Sequence, residues 1–244
     1  MQIHRRDLLV SGAAGGAALL AASAVAGAAP EAHPAGRPKP PVGPGKHEAV
    51  PLPFKAGSLT GISEKMITAH HDKNYAGAVT NLNKVETDLA ALKPDAPGYL
   101  VAGLRERELL YANSMTLHEH YFGNLGGNGK RSGALETRLG GDFGAAGWEG
   151  QFRADGLALG GGSGWVVLAL NLHDGRLRIA HAGNHTQTLA FGAPLLVLDM
   201  YEHAYQLDYG PDHAKYIEAF FKNIAWEMVE KRYDHAMKAY AVLG

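Results

Sequence analysis

The chain has no cysteine, so it forms no disulfide and carries no cysteine for lipid attachment. It has no marked excess of charge either. A net charge of −1 argues against a general nucleic-acid binder, which needs a strong basic surplus. Long apolar runs are also scarce, the exception being the N-terminal "HRRDLLVSGAAGGAALLAASAVAGAAP". That run is rich in Ala and Gly, which insert poorly into a bilayer compared with Leu or Ile. What the chain does have is length and apolar content. With 244 residues, 46% hydrophobic and 19% charged, it can bury a sizeable core in one large or two small domains. It also has thirteen histidines, a high count for this length, and some stand where a helix facing a core would carry Leu or Ala.

The N-terminal run pairs Arg5 with Arg6, continues without charge and ends in small residues before Pro30. This pattern predicts a twin-arginine export signal over residues 1–29, with "AGA" at Ala26 to Ala28 as the cleavage site and no membrane span after its removal. Export places the mature protein in the periplasm or outside the cell. The prolines crowd into "PEAHPAGRPKPPVGPGKHEAVPLP". They deny the backbone the donors that helix and sheet require, so residues 30–50 read as an extended linker with His33 and His47 solvated.

From Pro51 the pattern becomes helical. Ile62, Met66, Val79, Leu82, Val85, Leu89 and Leu92 recur at helical spacing behind a Ser63 N-cap, and His70 falls on the same stripe. After "KPDAPG", a second helix from Tyr99 to about Leu125 aligns Leu104, Tyr111, Met115, His118, Phe122 and Leu125, with His120 rotated away. Two helices joined by a short turn predict an antiparallel hairpin with one inward histidine from each. Beyond a glycine-rich stretch come a helical segment from Phe143 to Leu157, then β-rich runs Val166–Leu172 and Arg176–Ala182 flanking "HDG", a hairpin signal. The run "PLLVLD" is a third strand ending at Asp199. Helical spacing resumes through "MYEHAYQL", and one long helix from Asp212 to Tyr240 closes the chain. The predicted class is α+β: an N-terminal α-hairpin domain over residues 51–126, followed by an α/β domain with a three-stranded antiparallel sheet over residues 127–244.

Asp199 at a strand end and His203 four residues later can point the same way. His70 and His118 could complete a set of three imidazoles and one carboxylate, a mixed nitrogen and oxygen set that suits redox-active first-row metals. A lone histidine on an apolar stripe is more often a hydrogen-bonded core residue; the order and context of all four favour a site.

With these residues in view, the chain resembles the iron/manganese superoxide dismutase family from "PLPF" to "AWEMVEKRY". "LDMYEHAYQLDY" is similar to D-x-W-E-H-A-Y and "GSGWVVL" to G-S-G-W-x-x-L. The first-helix histidine before "AVTNLN" and the second-helix histidine before "YF" extend the likeness. The resemblance implies His70, His118, Asp199 and His203 as ligands of one iron or manganese ion per subunit. It implies dismutation of superoxide to oxygen and hydrogen peroxide, with Trp165 walling the site, and a homodimer with Glu202 and Tyr205 at its interface.

The chain departs from the family at several places. Ala78 stands where a gateway tyrosine is usual, with Tyr75 nearby but rotated and retained as a candidate catalytic residue. Asn74 replaces a histidine, Phe122 and Tyr201 replace tryptophans, and His213 stands near the place of a substrate-guiding arginine. The metal's solvent ligand is held in the family by a glutamine from the second helix or from the loop after the hairpin. Here those places read Ser114 and His185. A histidine at that loop position resembles the iron-using and metal-tolerant members of the family, which implies iron as the working metal with manganese tolerated and a neutral His185 hydrogen-bonded to the metal's solvent ligand. Two other readings stand beside the dismutase: an exported metal-binding homologue with little or no turnover, and, more weakly, a metal-dependent hydrolase.

Overall fold

The first helix starts where Ser63 Oγ accepts the Met66 N–H at 3.1 Å, the predicted cap. In this computed structural model, which describes residues 41–131, 133–144, 147–187 and 189–243, that helix runs unbroken to Ala90 but changes pitch. Helix α1 (Glu64–Ala69) passes into a π-helical segment (His70–Tyr75) and then into α2 (Ala76–Ala90). In a straight α-helix, residues five apart point about 140° from one another. The wider π turn, with i to i+5 bonding, instead buries both His70 and Tyr75. Tyr75, rotated from the usual tyrosine's place at Ala78, is thus a buried residue of this helix.

Helix α3 (Gly98–Gly123) returns along α2. Its second half is buried through Ser114, Leu117, His118, Tyr121 and Phe122, while its first half is more exposed. The helical segment read around Phe143 to Leu157 forms, beginning at Trp148. Helices α4 (Ala134–Phe143) and α5 (Trp148–Leu159) are separated at Gly144 and Gly147, whose φ of 60° and 65° are left-handed.

The sheet comprises β1 (Trp165–Asn171), β2 (Leu177–Ala182) and β3 (Gly192–Asp199) in the order β2-β1-β3, antiparallel throughout. The "HDG" hairpin joins β1 to β2 as expected. Strand β1 is central, and residues 165–170 are all buried, as its unbroken apolar run demands. The register sets Trp165 directly opposite Asp199.

After β3, a 3₁₀ turn (Glu202–Ala204) and the short α6 (Gln206–Tyr209) stand where continuous helical spacing was read. The closing helix is likewise two: α7 (His213–Lys222) and α8 (Trp226–Leu243). Asn223 makes the break. Its Oδ1 accepts the Thr60 N–H at 2.8 Å, and its Nδ2 donates to the carbonyls of Thr60 and Ala219, both at 2.8 Å. Helix α3 contacts both α2 and β3, so the helical hairpin and the sheet share one apolar core.

The N-terminal signal, most of the proline-rich linker and His33 lie outside the described residues. The part of the linker that is described is tied down, contrary to the reading of His47 as solvated. The His47 N–H donates to Asn83 Oδ1 at 2.9 Å, Asn83 Nδ2 donates to the His47 carbonyl at 2.9 Å, and the His47 ring meets Glu86 at 3.0 Å. Among the described residues no helix is long and apolar enough to cross a membrane.

Candidate metal centre

Four elements deliver four side chains to one point. His70 begins the π turn, His118 sits in the buried half of α3, Asp199 ends β3 and His203 lies in the 3₁₀ turn. One donor atom from each falls within 4.8 Å of every other. Asp199 Oδ2 stands 3.0 Å from His70 Nε2, 3.2 Å from His203 Nε2 and 3.7 Å from His118 Nε2. The side chains of His70, His118 and Asp199 are 0%, 2% and 0% exposed, against 25% for His203 in the single chain.

The local structure explains the aim of each group. His118 Nδ1–H donates to the Ser114 carbonyl at 2.7 Å, which leaves a lone pair on Nε2 facing the cluster. Ser114 Oγ lies 3.4 Å from that same Nδ1, behind the ring. Asp199 uses its two oxygens differently. Oδ1 accepts the Tyr201 N–H at 2.8 Å, folding the chain into the turn that presents His203, while Oδ2 faces the imidazoles. The Asp199 carbonyl accepts from the Tyr216 hydroxyl at 2.9 Å, and Tyr121 in turn reaches the Tyr216 hydroxyl at 3.1 Å.

Burial lowers the His70 pKa, outweighing the neighbouring carboxylate. It takes His118 to about 3, with the His70 ring adding to the effect. Burial would raise the Asp199 pKa, but the His203 and His70 imidazoles more than offset it and hold the carboxyl below the usual range. At neutral pH the site therefore presents one carboxylate and neutral buried imidazoles. His70 Nδ1 and Nε2 and His118 Nε2 are buried without a hydrogen-bond partner. Unpartnered buried nitrogens and a buried anion are costly unless a cation completes them. Donors sharing one ion at about 2.1 Å stand roughly 3 to 4 Å apart, so the spacing fits a bound metal. The mixed nitrogen and oxygen set suits iron or manganese.

Aromatic rings enclose the cluster. Phe122 and Tyr121 lie 4.9 and 5.1 Å from the His70 ring, and Trp165, with no exposed surface, stands edge-on to His118 at 5.0 Å. Tyr201 stacks on His203 at 5.4 Å and on His185 at 4.7 Å. The Trp165 Nε1–H donates to His185 Nδ1 at 2.9 Å, so a neutral His185 carries its proton on Nε2. Burial favours that neutral form. Asn113 fixes the His185 loop by donating to its carbonyl at 2.7 Å.

Other predicted residues sit further out. The Tyr75 hydroxyl donates to Glu119 at 2.9 Å and accepts the Val50 N–H at 2.7 Å, and its ring lies 6.2 Å from that of His118. Burial pushes its pKa to about 12. Ala78 is buried, and Asn74 is exposed. The His213 ring covers Gly160, with Nδ1 3.0 Å from the Pro211 carbonyl. Tyr205 is buried within the chain, its hydroxyl accepting the Gly161 N–H at 3.1 Å, whereas Glu202 is exposed. Glu119, Asn113, Tyr121 and Tyr216 were not singled out from sequence. Their partners lie at long range in the chain, and no local spacing marks them.

Residues 131–232 match the family described as iron/manganese superoxide dismutases, C-terminal domain. A superoxide dismutase [Fe] from Cupriavidus metallidurans is 46% identical over 194 residues, which cover 79% of this chain and 98% of that protein. A superoxide dismutase [Fe] from Aquifex aeolicus is 35% identical, covering 78% of this chain and 92% of its own. A superoxide dismutase [Mn] 1 from Halobacterium salinarum is 32% identical, covering 80% and 98% respectively. Such identity across nearly the full length of the relatives, on a fold that gathers three imidazoles and a carboxylate, means that the chain belongs to the iron/manganese superoxide dismutase family.

Proposed function

We propose that this protein dismutates superoxide at the cluster of His70, His118, Asp199 and His203, which would hold one iron or manganese ion. The observation that carries the reading is the convergence of buried, unpartnered imidazole nitrogens on a buried carboxylate in a chain whose relatives are named superoxide dismutases. Bound there, the ion supplies one-electron chemistry, by which two superoxide anions and two protons become one O₂ and one H₂O₂.

The chain's own residues set the conditions. Ser114 fixes the tautomer of His118 through its carbonyl, and Asp199 supplies the single negative charge among the donors. Trp165, Tyr121 and Phe122 keep bulk water away, so the charge of the anionic substrate is felt strongly. Trp165 also holds His185 through Nδ1, so that a neutral ring keeps its proton on Nε2, the donor it would offer to a solvent molecule on a bound ion. Metal-dependent hydrolysis has less support, since no separate general base approaches the cluster among the described residues. The test is to remove metal with a chelator and restore iron or manganese. Superoxide consumption should vanish and return in proportion to bound metal; full activity in metal-free protein would overturn the reading.

We also infer a homodimer. Three donors are sealed inside the single chain while His203 is 25% exposed beside the exposed Glu202, so a second copy covering that face would complete the enclosure. The metal-restored preparation should sediment at the mass of two chains.

The twin arginines Arg5 and Arg6 support export by the twin-arginine route, which carries folded proteins and so lets the metal be chosen before transport. Replacing both with Lys should retain the protein in the cytoplasm, because the guanidinium fork and not charge alone is recognised. Fractionation showing unchanged export would sink this assignment.

A further inference from the structure

Arg232 of α8 is a cation set into the protein with no carboxylate facing it among the described residues. Its Nη1 donates to Asn124 Oδ1 at 3.1 Å and to the Leu195 carbonyl at 3.0 Å, and its Nη2 donates to the His120 carbonyl at 3.2 Å. Burial lowers its pKa to about 10, so it stays charged at neutral pH. It thus spans two elements, the end of α3 and the middle of β3.

Asn124 completes the clasp. Fully buried, it accepts the Val197 N–H at 3.0 Å, donates to the Val197 carbonyl at 3.1 Å and donates to the Tyr121 carbonyl at 2.9 Å. A positive group at the C-terminus of α3 also complements the helix dipole. The space for it is provided by Gly123, where a Cβ would lie 2.4 Å from Arg232 Nη2.

The two clasped elements are those that carry His118 and Asp199. Asn124 follows His118 by six residues on the α3 side, and Val197 precedes Asp199 by two on β3. We propose that Arg232 is a positioning residue, which through Asn124 sets the separation of His118 and Asp199, 3.7 Å between Nε2 and Oδ2, and thereby tunes metal binding. A lysine could not replace it, since one ammonium does not present the planar fork that reaches acceptors on both elements. The inference rests on His118 and Asp199 being ligands.

The test compares wild type with Arg232→Met and Gly123→Ala. The second variant keeps the arginine but displaces its guanidinium, while alanine is otherwise the better helix former. Metal-free proteins are titrated with manganese(II) by equilibrium dialysis, and the visible absorption of the oxidised manganese-loaded forms is recorded. Arg232→Met should weaken manganese binding about 10- to 100-fold, the range for residues that orient metal ligands, and shift the absorption band. Gly123→Ala should move both in the same direction by less. Wild-type affinity and an unmoved band in both variants, even with a lower melting temperature, would overturn the proposal. If Arg232→Met does not fold, Gly123→Ala decides alone by the same criterion. Failure of the wild type itself to bind manganese would instead count against the ligand assignment.

Discussion

Asp199→Ala protein is expected to purify without stoichiometric metal and to lose superoxide consumption by at least about 100-fold. Residues that only orient ligands cost 10- to 100-fold when removed, and Asp199 is both a ligand candidate and the one anion in the cluster. Alanine also removes the acceptor for the Tyr201 N–H that shapes the turn carrying His203, so two donors are disturbed at once. Asp199→Asn separates these effects. Its amide oxygen can still accept from Tyr201 and its volume is unchanged, yet it brings no charge. Asparagine should therefore preserve the fold while metal content, measured by elemental analysis, still collapses. Full metal occupancy and full activity in either variant would mean that the ion, if bound, lies elsewhere.

The second large effect concerns which metal works. His185 accepts from Trp165 Nε1 through Nδ1 and is stacked on Tyr201, so its proton position and its plane are both fixed. An imidazole held this way offers a donor of defined direction, where an amide could present either end. We expect metal-free protein reconstituted with iron to be the more active form and the manganese form to retain measurable activity. His185→Ala should lower turnover of the iron form by about 10- to 100-fold and change the ratio of iron to manganese activity. Activity with manganese alone, together with indifference to loss of His185, would reject both parts.

The parts of this protein that were legible in sequence are those whose signal is local. Short β-rich apolar runs marked the three strands, and the apolar stripes that included His70 and His118 marked the helix faces. Asp199 and His203 were readable because the acid ends an apolar strand run and the imidazole follows at a spacing of four; that Asp199 also shapes the turn presenting His203 shows only in the fold. What escaped was set by single residues acting through distant partners. The π turn that buries Tyr75 has no signature in a hydrophobic pattern built on 3.6 residues, and it emerges only once His70 packs against α3 and Tyr75 meets Glu119 and Val50. The break between α7 and α8 depends on Asn223 pairing with Thr60, 163 residues earlier. Proline content correctly denied regular structure to the stretch around His47, yet could not reveal that Asn83 and Glu86 bind it. Arg232 reads in sequence as one more surface charge on an amphipathic helix. Only the fold shows that it faces three oxygen acceptors.

Rapid mixing of superoxide with purified protein of known metal content, following superoxide, oxygen and peroxide together, tests the central claim most directly. The expected result is catalytic decay at a rate proportional to bound iron or manganese, with one O₂ and one H₂O₂ formed for every two superoxide anions consumed. A fully metal-loaded protein that leaves the spontaneous decay of superoxide unchanged, or that forms peroxide without the matching oxygen, would contradict it.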